Sequence, residues 1–292
     1  MKHALVFGGS GQIGRPLLAG LLRGGWRVTA VSRQPQHDRP GLNWLHGDFA
    51  AMPALPARAD AIVSCGPLDA FAHWYGTAML DCDRVVAFGS TSVVVKRGSA
   101  DARERDVAQR LRAGEEGVFA AATQRGAQAT LLRPTLVYGA GRDATLTRIA
   151  TLAQRWGRFP LPRNAIGLRQ PVHVDDLAAA AVAALESTAS HGQTYALPGG
   201  EALAYREMVR RVLAALEPSP ALVELPSPLF NLALAAAKLA GGTGLGEAAV
   251  QRMRSDLVFD AAPAHRDLGY APRAFRPTAR MFDAREENED EA

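Results

Sequence analysis

Residues 7–15 read FGGSGQIGR, and their three-residue glycine spacing is the first feature with chemical content. Gly9, Gly11 and Gly14 spell G-x-G-x-x-G; Gly8, Gly11 and Gly14 spell G-x-x-G-x-x-G. Either register makes a tight turn without Cβ atoms. Backbone N–H groups can then approach a pyrophosphate, and a following helix adds the positive end of its dipole. Gly8, Gly11, Gln12, Ile13 and Gly14 are therefore candidates for cofactor binding. The bland alternative is a flexible loop, and the flanking elements must decide. A second feature is Ser32-Arg33, about 20 residues past the glycines, where an NAD site usually places Asp or Glu on the ribose hydroxyls. A carboxylate there would repel a 2′-phosphate, whereas Arg33 would pair with it. The pair favours NADP(H) over NAD; a solvated loop arginine is the other reading. Asp48 stands where a carboxylate could accept from the adenine amine, or it simply closes a Gly-Asp turn.

The elements that must position these residues are legible. Residues 3–7, HALVF, form a short apolar run that reads as a buried strand, and residues 16–22 carry apolar side chains at helical spacing. Strand, glycine turn, helix is the context that makes the motif a dinucleotide site. Further strands are expected at 27–31, 42–45, 61–64, 85–88 and 129–132, with a long helix at 102–124 between the last two. This alternation predicts an α/β fold, a doubly wound parallel (Rossmann) sheet with the ligand at the strands' C-terminal ends. After Pro134 helices dominate, near 145–155, 175–185, 205–216, 228–239 and 246–255. Residues 193–197 read as a strand returning to the main sheet. The expected organisation is a dinucleotide-binding domain at 1–140, with 175–200 returning to it, and a smaller, mainly helical substrate region at 141–282. An acidic, disordered tail follows at 283–292.

Composition narrows the classes. The chain has 292 residues, a net charge of +4 and 48% apolar residues, as in an ordinary globular protein. No apolar run reaches the length of a membrane span. The first residues form the glycine-motif strand rather than a signal peptide. Cys65 and Cys82 are too few for a disulfide framework and fit a reducing cytoplasm. No His/Cys cluster has metal spacing. Of 33 basic residues only Lys2, Lys96 and Lys238 are lysine; arginine is the better bidentate partner for phosphate. There is no basic helical face with interleaved aromatics, so nucleic acid is not indicated.

The chain resembles the extended and atypical short-chain dehydrogenase/reductases, the nucleotide-sugar epimerase/dehydratase group. The resemblance is carried by FGGSGQIG (7–14), HGD (46–48), FGSTSVVV (88–95), LRPTLVYG (132–139), LRQPVHVDDLA (168–178) and HRDLGYAPRAF (265–275). It implies that Thr91 matches the hydroxyl that bonds the substrate's reacting oxygen, with Ser92 in reserve. It implies that Arg169 matches an arginine near the substrate's phosphates; Arg142 and Arg163 lie on the same predicted face. The family's chemistry uses a Tyr-x-x-x-Lys pair on the helix after the fifth strand. Aligned on Glu115-Glu116, Ala108 takes the tyrosine position and Arg112 the lysine position, where it would face the cofactor. Tyr138, past the sixth strand, either supplies a phenol from another direction or packs beside the cofactor. His173 reads as a buried histidine, and Asp175 as a helix N-cap.

Two functions follow. One is an NADP-dependent reductase, epimerase or dehydratase relative acting on a small, phosphate-bearing, nucleotide-sugar-like substrate through Thr91 and Tyr138. The other is a protein that holds NADP(H) for structure or redox sensing without turnover.

Overall fold

A computed structural model describes residues 1–239 and 247–283. Its centre is a sheet of seven parallel strands: β1 (His3–Phe7), β2 (Arg27–Ser32), β3 (Leu42–His46), β4 (Arg58–Ser64), β5 (Asp81–Phe88), β6 (Gln128–Pro134) and β7 (Thr194–Leu197). Their spatial order is β7-β6-β5-β4-β1-β2-β3. The order reverses at β1, so the chain leaves β1 and β4 toward opposite faces of the sheet, and such switch points are where doubly wound folds bind ligands. Every residue of β1 is buried, which explains its unbroken apolar run: a strand covered on both faces has no solvent side to alternate.

The helices of this unit are α1 (Gly14–Arg23), α2 (Leu68–Thr77), α3 (Ser92–Val95), α4 (Ala102–Gln124), α5 (Val174–Glu186) and α6 (Ala262–Leu268). α1 buries Leu17, Leu18 and Leu21, the i, i+1, i+4 stripe of an amphipathic helix. α2 and α4 approach closely because Gly114 is small. A Cβ there would lie 3.1 Å from Leu68 and 3.2 Å from the Asp69 amide. Phe7 packs at 4.5 Å from Trp74, and Phe71 stacks on Tyr75 at 5.7 Å. This aromatic cluster fixes the end of β1 one residue before the glycine turn.

The chain divides into two compact units that alternate along the sequence. The first comprises Met1–Thr135, Val174–Leu197 and Asp260–Ala271. The second comprises Leu136–His173, Pro198–Phe259 and the described residues from Pro272 onward. Its core gathers Leu146, Ile149, Phe159, Met208, Val212 and Phe275 around helices Leu146–Trp156 and Tyr205–Ala214. A helix also spans Ser227–Leu239, while the one expected at 246–255 covers only Glu247–Arg252. Three two-stranded pairings in this unit were not anticipated; two of them involve strands of two residues, too short to show a period. β4 and β5 begin earlier than the apolar runs suggest. In β5 the exposed Asp81 and Asp83 flank buried Cys82, so half of the strand is a polar, one-sided edge of the pattern. Of the acidic tail, only Asp283 is among the described residues.

Candidate dinucleotide site

The three glycines do different jobs. Gly8 has φ +73°, which L side chains rarely adopt, and a Cβ on it would meet the Cys65–Gly66 backbone at 3.0–3.1 Å. The Gly11 N–H donates to the Gly8 carbonyl at 3.0 Å and closes the turn. A Cβ on Gly14 would sit 2.1 Å from the Gly8 oxygen and 2.6 Å from the Gly9 Cα, so this position is closed by backbone. A Cβ on Gly11 would meet only the Gly8 oxygen, at 3.1 Å. Gly11 therefore faces space, and Gly14 faces the turn itself. The N–H groups of Gln12 and Ile13 have no main-chain acceptor among the described residues, and α1 starts immediately after them. The Gln12 side-chain oxygen is buried without a hydrogen-bond partner among the described residues. Free donors at a helix N-terminus beside a cradle that a Cβ would fill suit a pyrophosphate.

At the end of β2 the Ser32 hydroxyl is buried, lies 3.2 Å from the Ser10 hydroxyl and accepts from the Gln34 N–H. The Ser10–Ser32 contact ties the glycine turn to the strand that carries Arg33, which is exposed. Ser10 was not singled out from the sequence; its hydroxyl within the glycine run was the available signal. Asp48 is half-buried and accepts from the Ala51 and Ala50 N–H groups, both at 2.8 Å. Those two donors hold its carboxyl below the usual range, with smaller help from Arg33 and His46. Asp48 is thus built into a turn, with one oxygen already committed. Burial pushes the Cys65 thiol up to about 12, so it stays protonated and is no nucleophile.

Thr91 is buried after β5. Its hydroxyl donates to the Pro134 carbonyl at 3.0 Å, and its N–H reaches the same oxygen at 3.2 Å. The hydroxyl's proton is spent, so toward a substrate Thr91 can only accept. The Pro134 carbonyl is held in turn by its neighbour: Arg133 makes a bidentate pair with buried Glu115 of α4, at 2.6 and 2.5 Å. This pair went unnoticed in the sequence, where Glu115 served only as an alignment landmark. α4 contains neither tyrosine nor lysine. Ala108 is buried, while Arg112 is exposed and paired with Glu116 at 3.1 Å.

Of the remaining candidates, Tyr138, Arg142, Arg163, Arg169 and His173 belong to the second unit and Asp175 to the first. Tyr138 is fully buried, edge-on to His173 at 5.1 Å and to Phe275 at 4.9 Å. Gly139 is demanded by this packing: φ is +117°, and a Cβ would lie 2.5 Å from His173 Nε2. Tyr138 thus sits in a packed ring cluster. Arg169 departs from the sequence expectation of a phosphate ligand. It is buried, with its amino groups donating to the carbonyls of Leu168, Ser255 and Arg252 and its guanidinium over the Tyr205 ring. A guanidinium so committed holds the backbone after helix Glu247–Arg252. Arg142 and Arg163 are exposed. Asp175 lies inside the first turn of α5 rather than capping it, because the helix begins at Val174. The described residues contain no metal-holding group of His, Cys, Asp and Glu, and no helix long and apolar enough to cross a membrane.

The seven parallel strands, their order and the glycine turn at its reversal define a doubly wound, Rossmann-like α/β fold. Residues 78–197 match the NAD dependent epimerase/dehydratase family model. A 2-alkyl-3-oxoalkanoate reductase from Stenotrophomonas maltophilia is 26% identical over 319 aligned residues, 92% of this chain and 94% of that protein. The mitochondrial NADH dehydrogenase [ubiquinone] 1 alpha subcomplex subunit 9 of Arabidopsis thaliana is 27% identical, covering 77% of this chain and 61% of its own length. The structure of a Bacillus cereus UDP-glucuronic acid 4-epimerase, in complex with UDP-glucuronic acid and NAD, superposes with a TM-score of 0.70 at 13% identity. The match covers 98% of this chain and 99% of that one.

Proposed function

We propose that this chain binds NADP(H) at the glycine turn and uses it as an oxidoreductase on a small carbonyl or hydroxyl compound that carries an anionic group. The observation that carries the cofactor reading is the β2 terminus: a buried Ser32 hydroxyl, joined to Ser10, beside an exposed Arg33 and no carboxylate at that strand end. The nicotinamide, when bound, supplies the hydride acceptor or donor. The chain's part is to seat the pyrophosphate on the Gln12 and Ile13 N–H groups and the 2′-phosphate on Ser32 and Arg33. Thr91 would accept a hydrogen bond from a substrate hydroxyl and so orient it. Among the arginines of the second unit, Arg142 and Arg163 are exposed anion ligands, whereas Arg169 is committed to main-chain carbonyls. The relatives that act on an oxoalkanoate or hold a UDP-glucuronic acid share such a group with a carbonyl or hydroxyl.

α4 favours a second reading, an NADP(H)-holding protein without turnover, because it offers no phenol or ammonium and the Thr91 proton is already bonded. The relative named as a subunit of a larger NADH dehydrogenase is in keeping with that reading. General acid–base help is worth about 10²–10⁴-fold, and its loss should make turnover slow. NADP⁺ reduction over a panel of nucleotide sugars and 3-hydroxy acids separates the two. The oxidoreductase reading predicts slow turnover of at least one anionic hydroxyl compound, its hydride passing to the nicotinamide and its hydroxyl proton to water, reduced about tenfold or more in Thr91→Ala, which loses the acceptor that orients the hydroxyl. Cofactor binding with turnover gained only in the Ala108→Tyr/Arg112→Lys variant would favour the holder. Brisk wild-type turnover insensitive to Thr91→Ala would contradict the placement of the site.

A further inference from the structure

The first unit has a pocket of about 360 Å³ that shares no residue with the glycine turn, the β2 terminus or Thr91. It lies against α3, α4 and the start of β7. Volumes of this size hold small ligands. One wall is apolar: Val93 and Val94 of α3 and Phe119 of α4. Val94 is 59% exposed, one of the few large apolar side chains on the surface of the described residues. The other wall is cationic. Arg97 is exposed and has no hydrogen-bonded or ion-paired partner among the described residues. Arg112 spends its Nε on Glu116, and Arg133, paired with Glu115, keeps 28% of its side chain exposed.

The charges choose the ligand. Three arginines face two glutamates, so the lining carries one net positive charge. That suits a monoanion. A phosphate dianion would add repulsion from Glu116, which is exposed at the same pocket. A planar carboxylate matches the guanidinium fork, and an apolar body would cover Val94 and Phe119, which otherwise face water. We infer that this pocket is a binding site for a small amphiphilic carboxylate, with Arg97 as its principal anion contact. The site shares no residue with the positions proposed for the pyrophosphate and the 2′-phosphate, and the inference does not rest on that reading.

The test is calorimetric titration of the whole chain with octanoate, with inorganic phosphate and octylamine as controls. Saturable octanoate binding is expected, weakened about tenfold in Arg97→Ala and abolished in Val94→Asp, which places a like charge beside the carboxylate. NADPH affinity in both variants should match wild type, showing that the fold is kept. Octanoate binding unchanged in Arg97→Ala, or no saturable binding by wild type, would overturn the assignment. Phosphate binding as tightly as octanoate would also overturn it, because the apolar wall would then contribute nothing.

Discussion

Gly11→Val should abolish NADPH binding and leave the protein folded, whereas Gly14→Ala should unfold it or nearly so. The two glycines belong to one motif, yet their Cβ directions differ. At Gly11 the nearest heavy atom is a single carbonyl oxygen at 3.1 Å, so a side chain can be carried at modest strain, but it then fills the cradle beside the free N–H groups of Gln12 and Ile13. Displacing a pyrophosphate from those donors should weaken binding by at least about 100-fold, roughly 3 kcal/mol. At Gly14 a Cβ would penetrate the Gly8 carbonyl at 2.1 Å, and the turn cannot yield without moving β1 or α1. That change belongs to the exceptional class of roughly 4 kcal/mol or more. Circular dichroism and urea unfolding, with NADPH titration by fluorescence, check both. NADPH binding by Gly11→Val at wild-type strength would mean that the turn is only a connection.

Glu115→Ala should cost about 2–3 kcal/mol of stability, below the 3–5 kcal/mol typical for breaking a fully buried pair because Arg133 keeps part of its exposure to water. The carboxylate is buried and receives both arms of the Arg133 guanidinium, so its removal strands a half-buried cation at the end of β6. The damage should reach further. Pro134, next in the chain, offers the carbonyl that fixes both the N–H and the hydroxyl of Thr91. Any turnover should therefore fall in this variant beyond what unfolding explains. Unfolding free energies from urea titration within about 0.5 kcal/mol of wild type would show that the pair contributes little, as exposed pairs do.

The sheet was legible because parallel strands covered on both faces leave continuous apolar runs, and β1 is the clearest case. The glycine turn was legible because glycine spacing reports a backbone requirement that no side chain can replace. α2 escaped notice: LDAFAHWYGT is rich in aromatic residues that read as strand or core as easily as helix. The fate of Arg169 was not legible either. Its partners are carbonyls of residues 168, 252 and 255, and a carbonyl's direction is set by tertiary packing rather than by residue type. The same holds for Thr91, whose type suggests a donor while its geometry leaves only an acceptor.

The central claim is that the β2 terminus selects the 2′-phosphate, and the most direct measurement is the affinity of the wild type and Arg33→Asp for NADPH and NADH by calorimetry. One charge-assisted contact is worth about 1.5–3 kcal/mol, so wild type should bind NADPH roughly tenfold to a hundredfold more tightly than NADH. Arg33→Asp should reverse that order, since the new carboxylate repels the phosphate and can accept from the ribose hydroxyls. Equal affinities in the wild type, or a preference untouched by Arg33→Asp, would contradict the account.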